Sequence, residues 1–99
     1  MVRLQRVARA KGGKVMEAVQ FAKEVAGHLN AKHGVAVQVY AELFGEVNRV
    51  FWYADFKDLA AFEALNAQLL ADQAYWGIVR QGVDLFIEGS IHDTVMMST

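Results

Sequence analysis

Apolar and polar residues alternate with a period of two from Met1 to Ala10, with Val2, Leu4 and Ala8 opposite Arg3, Gln5, Val7 and Arg9. That spacing predicts a strand. Gly12 and Gly13 interrupt it. From Val15 the repeat lengthens to the helical period, and Val15, Ala18, Val19, Ala22, Val25, Ala26 and Leu29 fall on one stripe. Gly34, after Lys32 and His33, stands where a left-handed residue would close that helix. Val35 to Phe44 alternates again, with Val35, Val37, Val39, Ala41 and Leu43 opposite Gln38, Tyr40, Glu42 and Phe44. A short Gly45–Glu46–Val47 connection of hairpin type leads to a third strand, in which Val50, Trp52 and Ala54 oppose Arg49, Phe51, Tyr53 and Asp55. Asp55 or Asp58 can cap a second helix that presents Leu59, Phe62, Leu65, Leu69 and Trp76 on one side. After Gly82 a last strand is expected, with Val83, Leu85, Ile87 and Ile91 opposite Phe86, Glu88, Ser90 and His92.

The order βαββαβ fills the chain and leaves nothing over for linkers. It predicts one α+β domain over residues 1–99, ferredoxin-like, with a four-stranded antiparallel sheet and two helices on one face. One sheet face then gathers Val2, Leu4, Val37, Val39, Val50, Trp52, Leu85 and Ile87 as core. The other carries Arg3, Gln5, Gln38, Tyr40, Glu42, Arg49, Phe51, Tyr53, Phe86, Glu88, Ser90 and His92. A sheet wetted on one side should be cleanly polar there, and this face is not. Aromatics among opposite charges read as a protein–protein surface, so Tyr40, Arg49, Phe51, Tyr53, Phe86, Glu88 and His92 are expected at a homodimer face.

Composition agrees with self-association. An apolar fraction of 55% in 99 residues exceeds the usual ~45–50%, and a small domain commonly hides such surplus in an oligomer. A net charge of −1 argues against a general nucleic-acid binder. The absence of cysteine removes disulfides, thiolate metal sites and a cysteine nucleophile. No apolar run approaches the ~20 residues of a membrane span, and a cytoplasmic protein is the expectation.

The segments KGGKVMEAVQFAKEV, ELFGEVNRVFWYADF and YWGIVRQGVDLFIEGSIHDTVM resemble the dimeric α/β-barrel superfamily, and within it the NIPSNAP-like domains, over essentially the whole chain. The resemblance implies two ferredoxin-like subunits packed sheet against sheet into a barrel, with any ligand between sheet and helices. It also implies a range of functions, from no assigned activity to small monooxygenases, haem-degrading enzymes and isomerases. Cofactor-independent monooxygenases of that group surround substrate with Asn, Trp and Tyr or His, and Asn66, Tyr75 and Trp76 are of those types. The haem-degrading branch places a His on the second helix; this segment has none, so no haem or other cofactor is expected.

Asn66 and Gln73 are the anomaly of the second helix, since they share the stripe of Phe62, Leu69 and Trp76. An unmet buried amide costs about 1–3 kcal/mol. A small apolar or aromatic ligand in a pocket lined by Trp52, Phe62, Asn66, Gln73 and Trp76 would meet that need. The competing reading puts both amides at the stripe's edge, bonded to backbone or water. Glu17, Glu24 and His28 form an outer stripe of the first helix that a solvated surface explains, with Phe21 as an odd exposed ring. Glu42, Glu88 and His92 can share the outer sheet face, but their spacing is no metal signature, and no metal is expected. Three functions remain open: a homodimeric domain that binds a small molecule, a cofactor-independent oxygenase, and a purely structural interaction module.

Overall fold

The computed structural model describes residues 1–99. Val2–Arg9 forms β1, Val37–Ala41 β2, Arg49–Phe56 β3 and His92–Met97 β4, in the sheet order β2-β3-β1-β4 with every neighbouring pair antiparallel. Helices α1 (Val15–His33), α2 (Leu59–Leu70) and α3 (Gln73–Gly82) complete the ferredoxin-like arrangement. Their apolar residues meet one sheet face only. Val25, Leu29, Leu65 and Tyr75 pack with Val2, Ala54 and Phe56. Ala18, Ala22 and Phe86 pack with Ala8, Ala10, Val50 and Trp52. Alanines on both surfaces let α1 lie close over the sheet, and β-branched and aromatic residues fill what remains.

Local chemistry sets the helix ends. Gly34 is left-handed at φ 68° and donates to Asn30 O, while Val35 donates to Leu29 O, which closes α1 as its position anticipates. Asp58 caps α2 by accepting from Ala61 N at 2.9 Å.

Three expectations are corrected. The second helix is two helices, broken at Ala71 and Asp72, where the Asp72 carboxylate caps α3 by accepting from Tyr75 N at 3.1 Å. A short acidic side chain that offers the backbone a local partner competes with helix propagation. Leu69 O accepts from Asp72 N and from Trp76 Nε1, so a carbonyl freed at the break stays paired. The last strand also starts later. Val83–Leu85 makes one 3-10 turn, Phe86 bridges to Ala10, and a turn through Gly89 (φ 79°) precedes β4. The alternation from Val83 to Ile91 therefore belongs to a connection, whereas Val95, Met96 and Met97 form a strand without alternating. Finally, β2 stops at Ala41, which leaves Leu43 and Phe44 exposed in its connection to β3.

Phe21, read as an exposed ring, packs against Phe86 at 5.8 Å and fills the space a side chain at Gly82 would need. A Cβ on Gly82 would lie 2.3 Å from the Phe21 ring. Gly82→Ala is expected to cost about 1–3 kcal/mol by overpacking. In a double-mutant cycle, chemical denaturation should show the loss shrinking when Phe21→Ala is added; full additivity would mean the contact does not matter.

Candidate functional site

The last two turns of α1 carry His28, Lys32 and His33, and all three reach the cap of α3. Asp72 is the one buried charged residue, its side chain 1% exposed. Its two oxygens divide the partners. Oδ2 accepts from His28 Nε2 at 2.7 Å and His33 Nε2 at 2.8 Å, while Oδ1 accepts from Lys32 Nζ at 3.0 Å and Tyr75 N at 3.1 Å. Burial is the largest single influence on this carboxyl and opposes its ionisation. The bonds from His28, His33, Lys32 and Tyr75 N together outweigh it and hold Asp72 well below the usual carboxylate range. His33 Nδ1 stands 3.1 Å from Gln68 Oε1, which ties the cluster to α2. His28 is thus part of the contact between α1 and α3, not of a solvated stripe. The sequence signal for this cluster was the acid itself: Asp72 falls where a continuous helix would carry its apolar stripe.

The outer sheet face is the second feature. Tyr40, Phe51 and Tyr53 form a ladder across β2 and β3, with Tyr40 and Tyr53 edge to face at 5.6 Å and Phe51 and Tyr53 stacked at 6.3 Å. Arg3 lies over Tyr53 and Arg49 over Phe51. Every arginine on this face has an acid partner within the chain: Arg3 with Asp55, Arg9 with Glu46, Arg49 with Glu42. The guanidinium bonds hold Asp55 and Glu42 below the ordinary carboxylate range. Tyr53 donates to Gln5 Oε1 at 2.9 Å. Tyr40 remains 56% exposed, and Met96 joins the face from β4.

Of the residues expected on this face, Tyr40, Arg49, Phe51, Tyr53 and His92 are there, His92 opposite Val7. Phe86 is not. It is buried against Trp52 and Phe21 on the helix side, because the last strand begins six residues beyond it. Glu88 lies exposed in the turn before β4, beside Arg9, Ser90 and His92 in a hollow of about 380 Å³.

The five residues expected to line a pocket do not converge. Trp52 is buried and donates to Ala22 O; Phe62 packs edge to face on Phe56; Trp76 is 39% exposed and bonded to the helix break. Asn66 and Gln73 are both exposed, on different helices. The break at Asp72 removes the common stripe that a continuous helix would have given them. It also leaves Asn66 in solvent while Tyr75 is buried, so the oxygenase-type trio shares no buried recess.

The helix layer leaves the edge strand β4 uncovered on its side of the sheet. Asp93, Val95 and Met97 of β4 pair with Arg6, Leu4 and Val2 and point toward the helix layer, yet Val95 is 45% and Met97 67% exposed. Arg6 and Asp93 form a two-bond ion pair there at 2.7 and 2.8 Å.

Comparison with known proteins matches residues 2–99 to one sequence family, described as a family of unknown function (DUF6039). No curated protein matches the sequence. Among solved structures, the fold is similar to an uncharacterized NIPSNAP domain protein from Burkholderia xenovorans, with 18% identity, TM-score 0.83 and coverage of 100% of this chain and 95% of that one. It is similar to a NIPSNAP family protein from Agrobacterium tumefaciens, with 16% identity, TM-score 0.78 and coverage of 99% and 92%. An antibiotic biosynthesis monooxygenase shares the fold at 11% identity, TM-score 0.74 and coverage of 100% and 99%. No helix is long and apolar enough to cross a membrane.

Proposed function

The chain belongs to this family of unknown function, and on that premise we propose that it works as a homodimeric binding domain, two copies packing the outer faces of their sheets together. One observation carries the reading: the outer face presents an aromatic ladder whose neighbouring arginines are already paired within the same chain. Burying a charge without a partner costs several kcal/mol. Here each copy brings its charges in neutralised pairs, so a twofold contact hides Tyr40, Phe51, Tyr53 and Met96 without stranding any of them. Apolar burial at ~25 cal/mol per Å² then favours association, less the entropy of joining two bodies. Sedimentation at micromolar concentration is expected to give twice the 11.0 kDa chain mass. A particle of the single-chain mass there overturns the proposal.

A small apolar or aromatic molecule belongs to the same reading, with its place moved. The exposure of Val95 and Met97 supports a seat on the helix side of β1 and β4, away from Asn66 and Gln73. Native mass spectrometry of the purified dimer is expected to show an added small mass that Val95→Glu removes while the dimer persists. A wild-type dimer without added mass favours the purely structural module.

A further inference from the structure

His28, His33 and Asp72 are not needed for the association just described, and their arrangement is more specific than a helix cap requires. A cap needs one carboxylate oxygen and a backbone amide, which Asp72 Oδ1 and Tyr75 N supply. The other oxygen, Oδ2, sits within 2.8 Å of two imidazole Nε2 atoms from the same helix. The three potential ligand atoms all lie within 4.8 Å of one another. We propose that His28, His33 and Asp72 form a binding site for a divalent transition-metal ion of the zinc class.

The hydrogen bonds around the cluster support this assignment. A neutral imidazole has one donor nitrogen and one acceptor nitrogen. His33 faces an acceptor on each side, Asp72 Oδ2 at Nε2 and Gln68 Oε1 at Nδ1. With Oε1 of Gln68 turned toward it, a neutral His33 that donates Nδ1–H to Gln68 leaves its Nε2 lone pair facing Asp72 Oδ2, a contact that a cation held between the two resolves. The Nδ1–H bond to Gln68 is the outer-shell bond metal-bound histidines ordinarily make, and it fixes the tautomer. The carboxylate is prepared in the same sense. Tyr75 N holds Oδ1 and leaves Oδ2 directed at the two rings as a one-oxygen ligand. Two imidazoles and a carboxylate suit zinc and its neighbours, whereas calcium and magnesium require oxygen ligands throughout. Three protein ligands leave a coordination position for water, and the half-exposed Lys32 side chain (52%) is free to turn into solvent as a dication enters. Opening the 2.7–2.8 Å contacts to the spacing of ligands on a common ion needs only small movements at the end of α1.

The test uses the full chain, stripped with chelator and titrated with Zn²⁺ alone. Calorimetry and native mass spectrometry are expected to show one ion per chain, with a dissociation constant in the micromolar range or below. His28→Gln and His33→Gln, checked for native circular dichroism, should each weaken binding at least tenfold. In the wild type, one equivalent of Zn²⁺ should shift the ¹⁵N ring signals of His28 and His33 and leave those of His92 in place, a readout that does not depend on the variants folding. Absence of saturable binding overturns the site. So does unchanged affinity in both variants, or a shift confined to His92.

Discussion

Replacing Phe51 by Glu is expected to turn a dimer into a monomer while leaving the chain folded. Phe51 lies in the middle of the outer sheet face, opposite Tyr40 on β2 and Val7 on β1, and stacked on Tyr53. In a twofold contact each substitution appears twice, so two new carboxylates would enter one interface. The nearest cation, Arg49, already pairs with Glu42 and Glu46. A carboxylate buried without a partner costs several kcal/mol, which exceeds what one aromatic ring returns to association. Within the single chain the same position is only partly buried, so the monomer should lose about 1 kcal/mol or less. Sedimentation should therefore fall from twice the 11.0 kDa chain mass to that mass, with an unchanged far-ultraviolet spectrum. Phe51→Leu keeps the face apolar and should remain dimeric. A Phe51→Glu protein that still sediments as a dimer would mean that the copies meet through another surface.

Asp72→Asn should be the most destabilising conservative change in the chain, at about 3–5 kcal/mol near neutral pH. The amide is nearly the same size, so the loss is electrostatic. It removes the charge that Lys32 faces, leaves one acceptor oxygen where there were two, and sets an NH₂ group against the donors on the other side. The effect has a defined pH dependence. The folded chain holds the Asp72 carboxyl well below its ordinary range because the bonds it accepts outweigh the cost of burial. An unfolded Asp titrates near ~3.9. The contribution of this group is then complete above about pH 5. Between about pH 5 and the folded value the unfolded chain takes up the proton first, so stability falls with falling pH. The gap between wild type and Asp72→Asn should narrow by about 1 kcal/mol from pH 5 to pH 3, as read by urea denaturation. A gap below about 1 kcal/mol at neutral pH, or one that widens with acid, would mean that the carboxylate is not the centre of this network.

The two features differ in how they could be read from residues alone. Tyr40, Phe51 and Tyr53 were legible on one outer face because side chains alternate strictly along a strand, and because β2 and β3 pair across a short connection. The same rule failed for Phe86. Alternation from Val83 to Ile91 carries no mark of where a chain stops pairing, and the turn at Gly89 lies inside it. Met96 and the Arg6–Asp93 pair went unseen for the same reason, since both depend on the register of β4 against β1.

The βαββαβ order, the single helix layer and the Gly34 closure of α1 were determined by the sequence, which also narrowed the cap of α2 to Asp55 or Asp58, because each rests on a period or a cap within a few residues. Where the second helix breaks was not decided locally. No glycine or proline marks the point, and a capping aspartate is also an ordinary surface residue. Only the approach of α1, with His28, Lys32 and His33, makes a buried charge at position 72 affordable. That charge then separates Asn66 from Gln73 and places two imidazoles on one oxygen. Residues forty positions apart come together there through packing, which periodicity along a single chain does not encode.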